Sequence, residues 1–285
     1  MSTVATGRAS GKLILLGEHA VVYGYPAIAV GLSLGTEVQL HRRPGPTTCS
    51  ITNPDPSLTR ALAQALPNTG LHVQIQSELP IGRGMGSSAA LSVALVRARA
   101  SLEGRELDFD EVHAQAFELE RIFHGNPSGM DHAVAAKGGA VFYQKDAAPR
   151  TLHMRPVEAV VLDSGMTGNT SEMVAAVSAL RPGIDPLLNR MGDLADQAAK
   201  TLNDTDSLGE AMTECHTLLQ QIGVSNEALD ALVTLARQHG AVGAKLSGAG
   251  GGGVVVALTP NGSASLLQSA RERGIEAFPC SLPKN

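Results

Sequence analysis

Between residues 79 and 93 the chain reads Leu79-Pro-Ile-Gly-Arg-Gly-Met-Gly-Ser-Ser-Ala-Ala-Leu-Ser-Val93, which places three glycines and two consecutive serines in one short loop. Apolar and polar residues alternate from residue 71 to residue 76, and this period of two predicts a strand before the loop. Residues 89 to 102 are predicted to form a helix after it, with Ser87 or Ser88 as the N-cap. Glycines let backbone N–H groups converge on one point, and a helix N-terminus favours negative charge. The loop therefore predicts a phosphate-binding site in preference to a tight turn without a ligand.

A second glycine-rich segment, Lys245-Leu-Ser-Gly-Ala-Gly-Gly-Gly-Gly-Val254, lies in a different sequence context. The first loop lacks the lysine of a Walker A motif, which argues against an ordinary P-loop NTPase. The second contains G-x-G-x-x-G but leads into an apolar strand, whereas the dinucleotide fingerprint leads from a strand into a helix. Because apolar segments flank it on both sides, we interpret it as a second backbone surface that lies against a ligand or the first loop, in preference to a flexible linker.

The composition is typical of a globular chain that binds small molecules. The chain has 285 residues, a formal net charge of −5, no Trp and 3% aromatic residues. A nucleic-acid partner would require a basic face and aromatic stacking platforms, so none is predicted. Apolar runs fall far short of the roughly 20 residues of a membrane span, and no signal-peptide segment is evident. We expect a cytoplasmic chain without a membrane partner, whose three cysteines are unpaired thiols.

Strands and helices are mixed along the chain without regular β-α-β alternation, which predicts an α+β fold in preference to a doubly wound sheet. The length suggests about two domains. A polar, proline-bearing segment at residues 147–156 separates two predicted strands, so we place the domain boundary near residue 155. Residues 44–57 hold four prolines and are predicted to form an irregular excursion, a candidate lid.

The candidate catalytic groups are a lysine, a serine and acidic residues. Lys12 begins a predicted apolar strand, which would put its ammonium at the edge of a core, although a solvated lysine fits equally well. Asp131 follows a Gly-Asn-Pro-Ser-Gly turn that would hold a carboxylate at a fixed angle, although a surface turn residue fits as well. Mg²⁺ prefers hard oxygen ligands, and Ser88 with one carboxylate would suffice. Glu118 and Glu120 lie two apart on one predicted helix, so at most one of them faces the site, and helix phase alone does not choose.

Other polar and sulfur-containing residues are interpreted as structural. His124 could share a helix face with Glu120, but no second histidine or cysteine has zinc-ligand spacing, so no zinc site is predicted. His19 and His132 are interpreted as hydrogen-bonded turn residues. The methionines at positions 85, 130, 191 and 212 are interpreted as packing residues.

Four segments taken together resemble the GHMP kinase superfamily, and within it the mevalonate kinases. In chain order they are residues 11–24, Gly-Lys-Leu-Ile-Leu-Leu-Gly-Glu-His-Ala-Val-Val-Tyr-Gly; residues 80–90, which hold the first glycine loop; residues 124–131, His-Gly-Asn-Pro-Ser-Gly-Met-Asp; and residues 245–253, the second glycine-rich segment. The resemblance spans nearly the whole chain, with the motifs in family order. Glycine loops occur across the superfamily, so residues 17–24 and 124–131 are the specific ones.

The resemblance implies a two-domain α+β fold. Residues 1–155 would form an amino-terminal domain similar to domain 2 of ribosomal protein S5, and residues 156–285 a ferredoxin-like carboxy-terminal domain. ATP would donate its γ-phosphoryl group to the 5-hydroxyl of mevalonate, with Mg²⁺ as the metal cofactor. Other small-hydroxyl kinases of the superfamily, acting on phosphomevalonate, the 3-hydroxyl of mevalonate or homoserine, stay open, as does a non-catalytic nucleotide or metabolite sensor. The sequence leaves monomer and homodimer open.

The resemblance also implies roles for individual residues. Asp131 is similar to the residue that receives or orients the hydroxyl proton, and Lys12 to the one that stabilises the alkoxide and phosphoryl charge. Ser88 and Glu120 resemble the Mg²⁺ ligands, and Glu120 is preferred to Glu118 because it precedes Asp131 by eleven positions, the family spacing. The implied nucleotide-binding residues are Pro80, Gly82, Gly84, Met85, Gly86, Ser87, Ser88 and Ala89. The implied substrate-binding residues are Glu18, His19, Ser247, Gly248 and Ala249.

Three positions depart from the pattern of relatives. Cys215 stands where many relatives have Asn, Leu91 follows the Ser-Ser-Ala-Ala segment where some have Tyr, and His132 follows Asp131 where Asn is common. None of these departures removes a predicted catalytic group.

Overall fold

A computed structural model describes residues 4–80, 82–125 and 127–283, so Ile81 and Asn126, each part of a quoted motif, lie outside the described residues. The strands are β1 (Val4–Leu16), β2 (Ala27–Pro46), β3 (Thr48–Cys49), β4 (Thr69–Ser77), β5 (Ala140–Tyr143), β6 (Arg150–Leu152), β7 (Val157–Asp163), β8 (Gly243–Ser247), β9 (Val254–Leu258) and β10 (Ala277–Leu282). The helices are α1 (Pro56–Ala65), α2 (Ser87–Leu102), α3 (Phe109–His124), α4 (Met130–Lys137), α5 (Thr170–Ala179), α6 (Asp185–Ala198), α7 (Thr205–Gln221), α8 (Glu227–Gln238) and α9 (Ala264–Glu272). A short 3₁₀ helix spans Ala20–Tyr23.

The chain forms two compact units, each built from separate stretches. The first unit consists of the residues up to Gly11, Leu34–Pro80 and Gly86–Lys137. The second consists of Lys12–Ser33, the loop segment that ends at Met85, and the residues from Gly138 onward. The predicted boundary near residue 155 falls inside this second unit. The division into family domains at 1–155 and 156–285 stays a prediction.

The first unit packs helices against strands. In it, β2 pairs with β4 in an antiparallel register from Thr36↔Ser77 to Arg42↔Leu71, and β3 pairs with β4 in parallel. Helix α2 is buried on nearly all sides, since its residues are small or apolar, and it contacts α1, α3 and α4. Helix α3 begins with a capping box between Asp108 and Glu111, which satisfies two amide groups at its start. Its buried face carries Val112, Ala116, Leu119 and Glu120.

The second unit contains a four-stranded antiparallel sheet in the order β10-β7-β9-β8. Its central strands, β7 and β9, are apolar over most of their length, as expected for strands covered on both faces. Helices α7 and α8 pack on β8. In the same unit, residues 27–30 of β2 pair with β5, and β5 pairs with β6.

The predicted strands are found. The strand predicted at 71–76 corresponds to β4, the two strands predicted on either side of residues 147–156 correspond to β5 and β7, and the apolar strand predicted after the second glycine-rich segment corresponds to β9. The α+β class is confirmed. The predicted N-cap was wrong, because Gly86 caps α2 in the left-handed conformation and Ser87 and Ser88 are the first helical residues. The predicted irregular stretch at 44–57 contains β3 and the start of α1, and its role as a lid stays a prediction.

The sulfur-containing residues have the environments that the sequence predicts. The four methionines interpreted as packing residues are at most 2% exposed, and the three cysteines are free thiols, as predicted. Across the described parts of the chain, no helix combines the length and the apolar character needed to cross a membrane.

Candidate active site

The three glycines of the first glycine loop share one backbone conformation. Gly82, Gly84 and Gly86 have φ angles of 73°, 76° and 74°, in the left-handed region that side chains with a Cβ rarely adopt. Gly86 begins α2, and no described side chain caps the first amide groups of that helix. The loop therefore ends at a helix N-terminus whose unpaired N–H groups and dipole favour an anion. Of the other predicted nucleotide-binding residues, Pro80 is half-buried, while Met85 and Ala89 are buried in the core.

The second glycine-rich segment lies against the first loop. A Cβ on Gly84 would meet the carbonyl oxygen of Ser247 at 3.0 Å, and one on Gly253 would meet the carbonyl oxygen of Arg83 at 2.9 Å. Both distances are at or below the closest approach of real Cβ atoms, so the backbones touch where side chains are absent. The interpretation of residues 245–253 as a second backbone surface against the first loop is confirmed.

Ser88 and Glu120 lie together in the first unit. The Ser88 hydroxyl donates to Oε2 of Glu120 at 3.3 Å, and the Ser92 hydroxyl donates to Oε1 at 3.1 Å. Nε2 of His124 lies 2.9 Å from Oγ of Ser88. Glu120 is 1% exposed, whereas the side chain of Glu118 is 57% exposed and pairs with Arg121. Of the two glutamates between which helix phase does not choose, only Glu120 is on the buried face of α3, and its role as a metal ligand stays a prediction.

The Ser88 and Glu120 oxygens fit a magnesium ion. Mg²⁺ takes oxygen ligands at about 2.1 Å in an octahedron, which places neighbouring ligand oxygens roughly 3 Å apart. The 3.3 Å between Oγ of Ser88 and Oε2 of Glu120 is close to that spacing. The two side chains would supply two ligands, with phosphate oxygens and water to complete the set. Among the described residues, no cluster of three or more His, Cys, Asp or Glu side chains could hold a metal ion without such help.

Asp131 lies in the first turn of α4, where the helix dipole stabilises a carboxylate. His132, the next residue, is 1% exposed, and its ring lies 4.4 Å from that of His113 on α3. Burial, assisted by His113, lowers the pKa of His132 to about 3, so its imidazole is neutral at pH 7. The interpretation of His132 as a hydrogen-bonded turn residue was wrong, since it is a buried helix residue whose Nε2 has no partner among the described atoms.

Lys12 is buried in the second unit, which excludes the alternative of a solvated lysine. The residue is only 3% exposed, and its backbone N–H donates to the carbonyl of Met85 at 2.9 Å. Two residues further along β1, the N–H of Ile14 donates to the Ser247 hydroxyl at 2.8 Å. The strand that carries Lys12 is thus bonded to both glycine-rich segments.

Glu18 takes part in a buried ion pair that the sequence does not predict. Its carboxylate pairs with the ammonium of Lys245, which also donates to the carbonyl of Leu246 at 2.5 Å. The thiol of Cys215 lies 3.8 Å from the other Glu18 oxygen. Burial raises the pKa of Cys215 to about 12, against the opposing effect of Lys245, so the thiol stays protonated. Both oxygens of Glu18 are engaged within the protein.

His19 is held by the second glycine-rich segment. Its Nε2 lies 2.8 Å from the carbonyl oxygen of Ala249, so the neutral ring must carry its proton on Nε2 and present Nδ1 as an acceptor. Burial lowers the pKa of His19, with the Ala249 carbonyl acting in the opposite direction. The predicted substrate-binding residues of the two motifs, Glu18 and His19 on one side and residues 247–249 on the other, are therefore brought together.

Sequence reasoning missed several residues that organise these sites. Lys245 opens the glycine-rich segment but looks like an ordinary strand lysine. Ser92 and His124 contact the Ser88–Glu120 pair, and only the four-residue spacing of Glu120 and His124 hinted at this. His113 gives no signal at all, because its contact with His132 joins two helices.

Two models of one kinase family match this chain. The model for the "GHMP kinases N terminal domain" matches residues 57–139, and the model for "GHMP kinases C terminal" matches residues 194–276. The chain belongs to the GHMP kinase family and has its two-domain α+β fold. Membership of a kinase family implies that ATP is the phosphoryl donor.

Individual relatives narrow the assignment within that family. The mevalonate kinase of Thermococcus sibiricus is 34% identical over 93% of this chain and 92% of its own length. That of Pyrococcus furiosus is 35% identical over 96% of this chain and 94% of its own. The crystal structure of L. major mevalonate kinase in complex with R-mevalonate superposes with a TM-score of 0.88 at 28% identity, covering 100% of this chain and 97% of the other. The chain is thus a member of the mevalonate kinase branch.

Proposed function

We propose that this chain transfers the γ-phosphoryl group of ATP to the 5-hydroxyl of mevalonate. The observation that carries the proposal is the similarity over nearly the whole chain to relatives named mevalonate kinase, at 34% and 35% identity. The local geometry supports the proposal, because the structure contains the predicted phosphate loop, the Ser88–Glu120 pair and the contact between His19 and Ala249. In the reaction the acceptor oxygen bonds to the γ-phosphorus as the bond to the bridging oxygen of ADP breaks.

Asp131 is proposed to receive or orient the proton that leaves the 5-hydroxyl. Asp131 lies in the first turn of α4, and negatively charged side chains are favoured at helix N-termini. Phosphoryl transfer passes through a loose transition state, so orientation of the acceptor contributes more than strong basicity.

Lys12 is proposed to stabilise the charge that develops on the acceptor oxygen and the phosphoryl group. The residue is buried, and a cation in a water-poor environment interacts with developing negative charge more strongly than one in water. Its position on β1 is fixed by backbone bonds to Met85 and, through Ile14, to Ser247.

Ser88 and Glu120 are proposed to hold Mg²⁺, whose charge would neutralise the phosphate oxygens when it is bound. Ser92 keeps the carboxylate of Glu120 in place through its own hydrogen bond, and His124 contacts the Ser88 hydroxyl. Gly82, Gly84, Gly86 and the first turn of α2 would contact the triphosphate. His19 and residues 247–249 would contact mevalonate, with Glu18 supporting them through Lys245. A cytoplasmic location and a homodimer stay predictions.

A substrate panel tests the proposed reaction. Release of ADP is measured with Mg-ATP and, in parallel, mevalonate, phosphomevalonate, homoserine and galactose, and the phosphorylated hydroxyl of the product is identified by NMR. We expect turnover with mevalonate and phosphate on the 5-hydroxyl.

The other outcomes separate the alternatives. Phosphate on the 3-hydroxyl, or turnover with another acceptor, would keep the kinase assignment and overturn the substrate. Nucleotide binding without turnover of any acceptor would favour a sensor.

A further inference from the structure

Arg83, in the middle of the first glycine loop, forms a largely buried ion pair that has no part in the roles proposed so far. Its Nε lies 3.0 Å from Oδ2 of Asp163, and the two side chains are 21% and 7% exposed. The other oxygen, Oδ1, accepts the N–H of Gly165 at 2.8 Å. The carboxylate of Asp163 is therefore fixed from both sides.

Asp163 provides a rigid anchor. It is the last residue of β7, which lies between β9 and β10 in the sheet of the second unit. Its own N–H donates to the carbonyl of Glu276 at 2.8 Å. A side chain held by Asp163 is thereby tied to the interior of a sheet.

The backbone on both sides of Arg83 lies against the same unit. A Cβ on Gly82 would lie 3.0 Å from Cγ2 of Thr167. A Cβ on Gly253 would lie 2.9 Å from the carbonyl oxygen of Arg83. These glycine contacts allow the close approach but supply no directional bond. The Arg83–Asp163 pair is the charged contact that fixes where along β7 the loop sits.

The pair is poorly suited to a purely stabilising role. Nη1 of Arg83 is buried and has no hydrogen-bond partner among the described residues. An unsatisfied buried donor costs free energy, and a buried ion pair often contributes no more stability than apolar residues of similar size. The attraction of the guanidinium to one fixed carboxylate is what an apolar replacement would lack.

We propose that Arg83 is a positioning residue for nucleotide binding: its ion pair with Asp163 holds the loop in the conformation that receives the phosphates of ATP. The inference rests on the proposed function, since it assumes that this loop binds the nucleotide. Arg83 acts through the loop backbone, and Asp163 is as necessary as Arg83.

The test is a double-mutant cycle with Arg83→Gln, Asp163→Asn and the double variant. Binding of Mg-ADP is measured by calorimetry without an acceptor, and KM is measured separately for ATP and mevalonate. Each single variant is expected to raise the Kd of Mg-ADP and the KM for ATP by roughly tenfold, as for a displaced binding group, and to leave the KM for mevalonate unchanged. The Kd and KM of the double variant are expected to be no higher than those of either single variant, because each substitution removes the same contact.

A matched control comes from the Arg190–Glu214 pair of the same unit. There Nε also pairs with a carboxylate oxygen, at 2.6 Å, but the side chains are 40% and 43% exposed. Arg190→Gln and Glu214→Gln are expected to leave the Kd of Mg-ADP unchanged. Thermal unfolding of every variant identifies any that fail to fold, and Arg83→Lys, which keeps the charge but loses the Nε geometry, replaces Arg83→Gln in that case.

Two results would overturn the inference alone, given a wild-type protein that binds Mg-ADP and phosphorylates mevalonate. Unchanged nucleotide affinity in both single variants would remove the positioning role. Weaker Mg-ADP binding by Arg83→Gln, with unchanged binding by Asp163→Asn, would show that Arg83 contacts the phosphates itself. A wild-type protein that binds no nucleotide would overturn the proposed function, and the inference with it.

Discussion

Glu118 and Glu120 show how two like residues, two positions apart, take different roles. Glu120 accepts bonds from Ser88 and Ser92 inside the first unit, while Glu118 pairs with Arg121 in solvent. Successive helical residues are rotated by about 100°, so residues two apart cannot share a face.

This difference predicts the effects of a matched pair of variants. Glu120→Gln removes the charge of the proposed metal ligand but keeps the shape of the side chain. We expect the Mg²⁺ concentration for half-maximal activity to rise by roughly 10–100-fold, the range for weakened metal sites. Glu118→Gln is the control and should leave the Mg²⁺ titration as in the wild type. Equal titrations for both variants would contradict the assignment of Glu120.

Asp131→Asn should lower kcat by roughly 10²–10⁴, the range for loss of a general acid or base. The amide is nearly isosteric, so Mg-ADP binding and thermal unfolding should be retained. Asp206→Asn is the control, because Asp206 is also in the first turn of a helix, α7, and is exposed. A turnover rate close to that of the wild type would exclude Asp131 from proton transfer.

His132 should make the folded state sensitive to acid. Its pKa is about 3 in the folded chain, against an ordinary value of 6.5. Above pH 6.5 neither state is protonated, so the residue adds no pH dependence. As the pH falls from 6.5 towards 3 the unfolded chain gains a proton that the folded chain excludes, so stability falls by about 1.4 kcal/mol per pH unit.

Urea unfolding at pH 7.5 and 5.5 measures this effect. The wild type should lose more stability between the two pH values than His132→Asn, by about 1.4 kcal/mol. The subtraction removes the contributions of His19 and His216, whose pKa values burial also lowers. An equal loss of stability in the wild type and in His132→Asn would show that the folded chain protonates His132 at no cost in free energy.

Among the elements, β1 shows why a strand can escape prediction. Its inward residues from 4 to 11 include Ala5, Gly7 and Ala9, which are small because α2 lies directly against them. A Cβ on Gly7 would be 2.0 Å from the carbonyl oxygen of Ala94. Small inward residues give a weak hydrophobic alternation, so the segment reads as a polar start.

The contact of α7 with β8 predicts a reversed effect of glycine replacement. Alanine is normally favoured over glycine in a helix by about 1 kcal/mol. At Gly209 a Cβ would lie 2.5 Å from the carbonyl oxygen of Val242, against backbone that cannot yield. Gly209→Ala should therefore destabilise the chain by roughly 1–3 kcal/mol, as overpacking does.

Chemical denaturation of Gly209→Ala and of Glu210→Ala, an exposed neighbour on the same helix, checks this prediction. The Glu210→Ala variant should stay within about 0.5 kcal/mol of the wild type. A stabilised Gly209→Ala variant would mean that α7 can move away from β8.

For the whole molecule, the interleaved chain segments predict that the carboxy-terminal half does not fold by itself. The second unit includes Lys12–Ser33, which a cut at residue 155 removes. A fragment 156–285 would leave Lys245 without Glu18 and the Ser247 hydroxyl without Ile14. Removing one partner of a buried ion pair typically costs 3–5 kcal/mol, a large part of the stability of a domain.

Circular dichroism and the proton NMR spectrum of fragment 156–285 test this, with the full chain as the control. We expect little fixed tertiary structure in the fragment. A cooperative thermal transition in fragment 156–285 would instead support residue 155 as the boundary of an autonomous domain.

The α+β class, the glycine loops and the candidate residues can be read from the sequence, because local conformation depends on neighbouring residues. Period-two alternation predicts β4, and the glycines at 82, 84 and 86 predict a loop whose backbone N–H groups can converge on an anion. The four motifs are likewise identified from the order of the residues. In contrast, the burial of Glu120 and Lys12 and the pairs Glu18–Lys245 and Arg83–Asp163 follow only from the tertiary structure. Glu18 and Lys245 are 227 positions apart, and no periodic pattern links residues that only the packing of separate strands brings together.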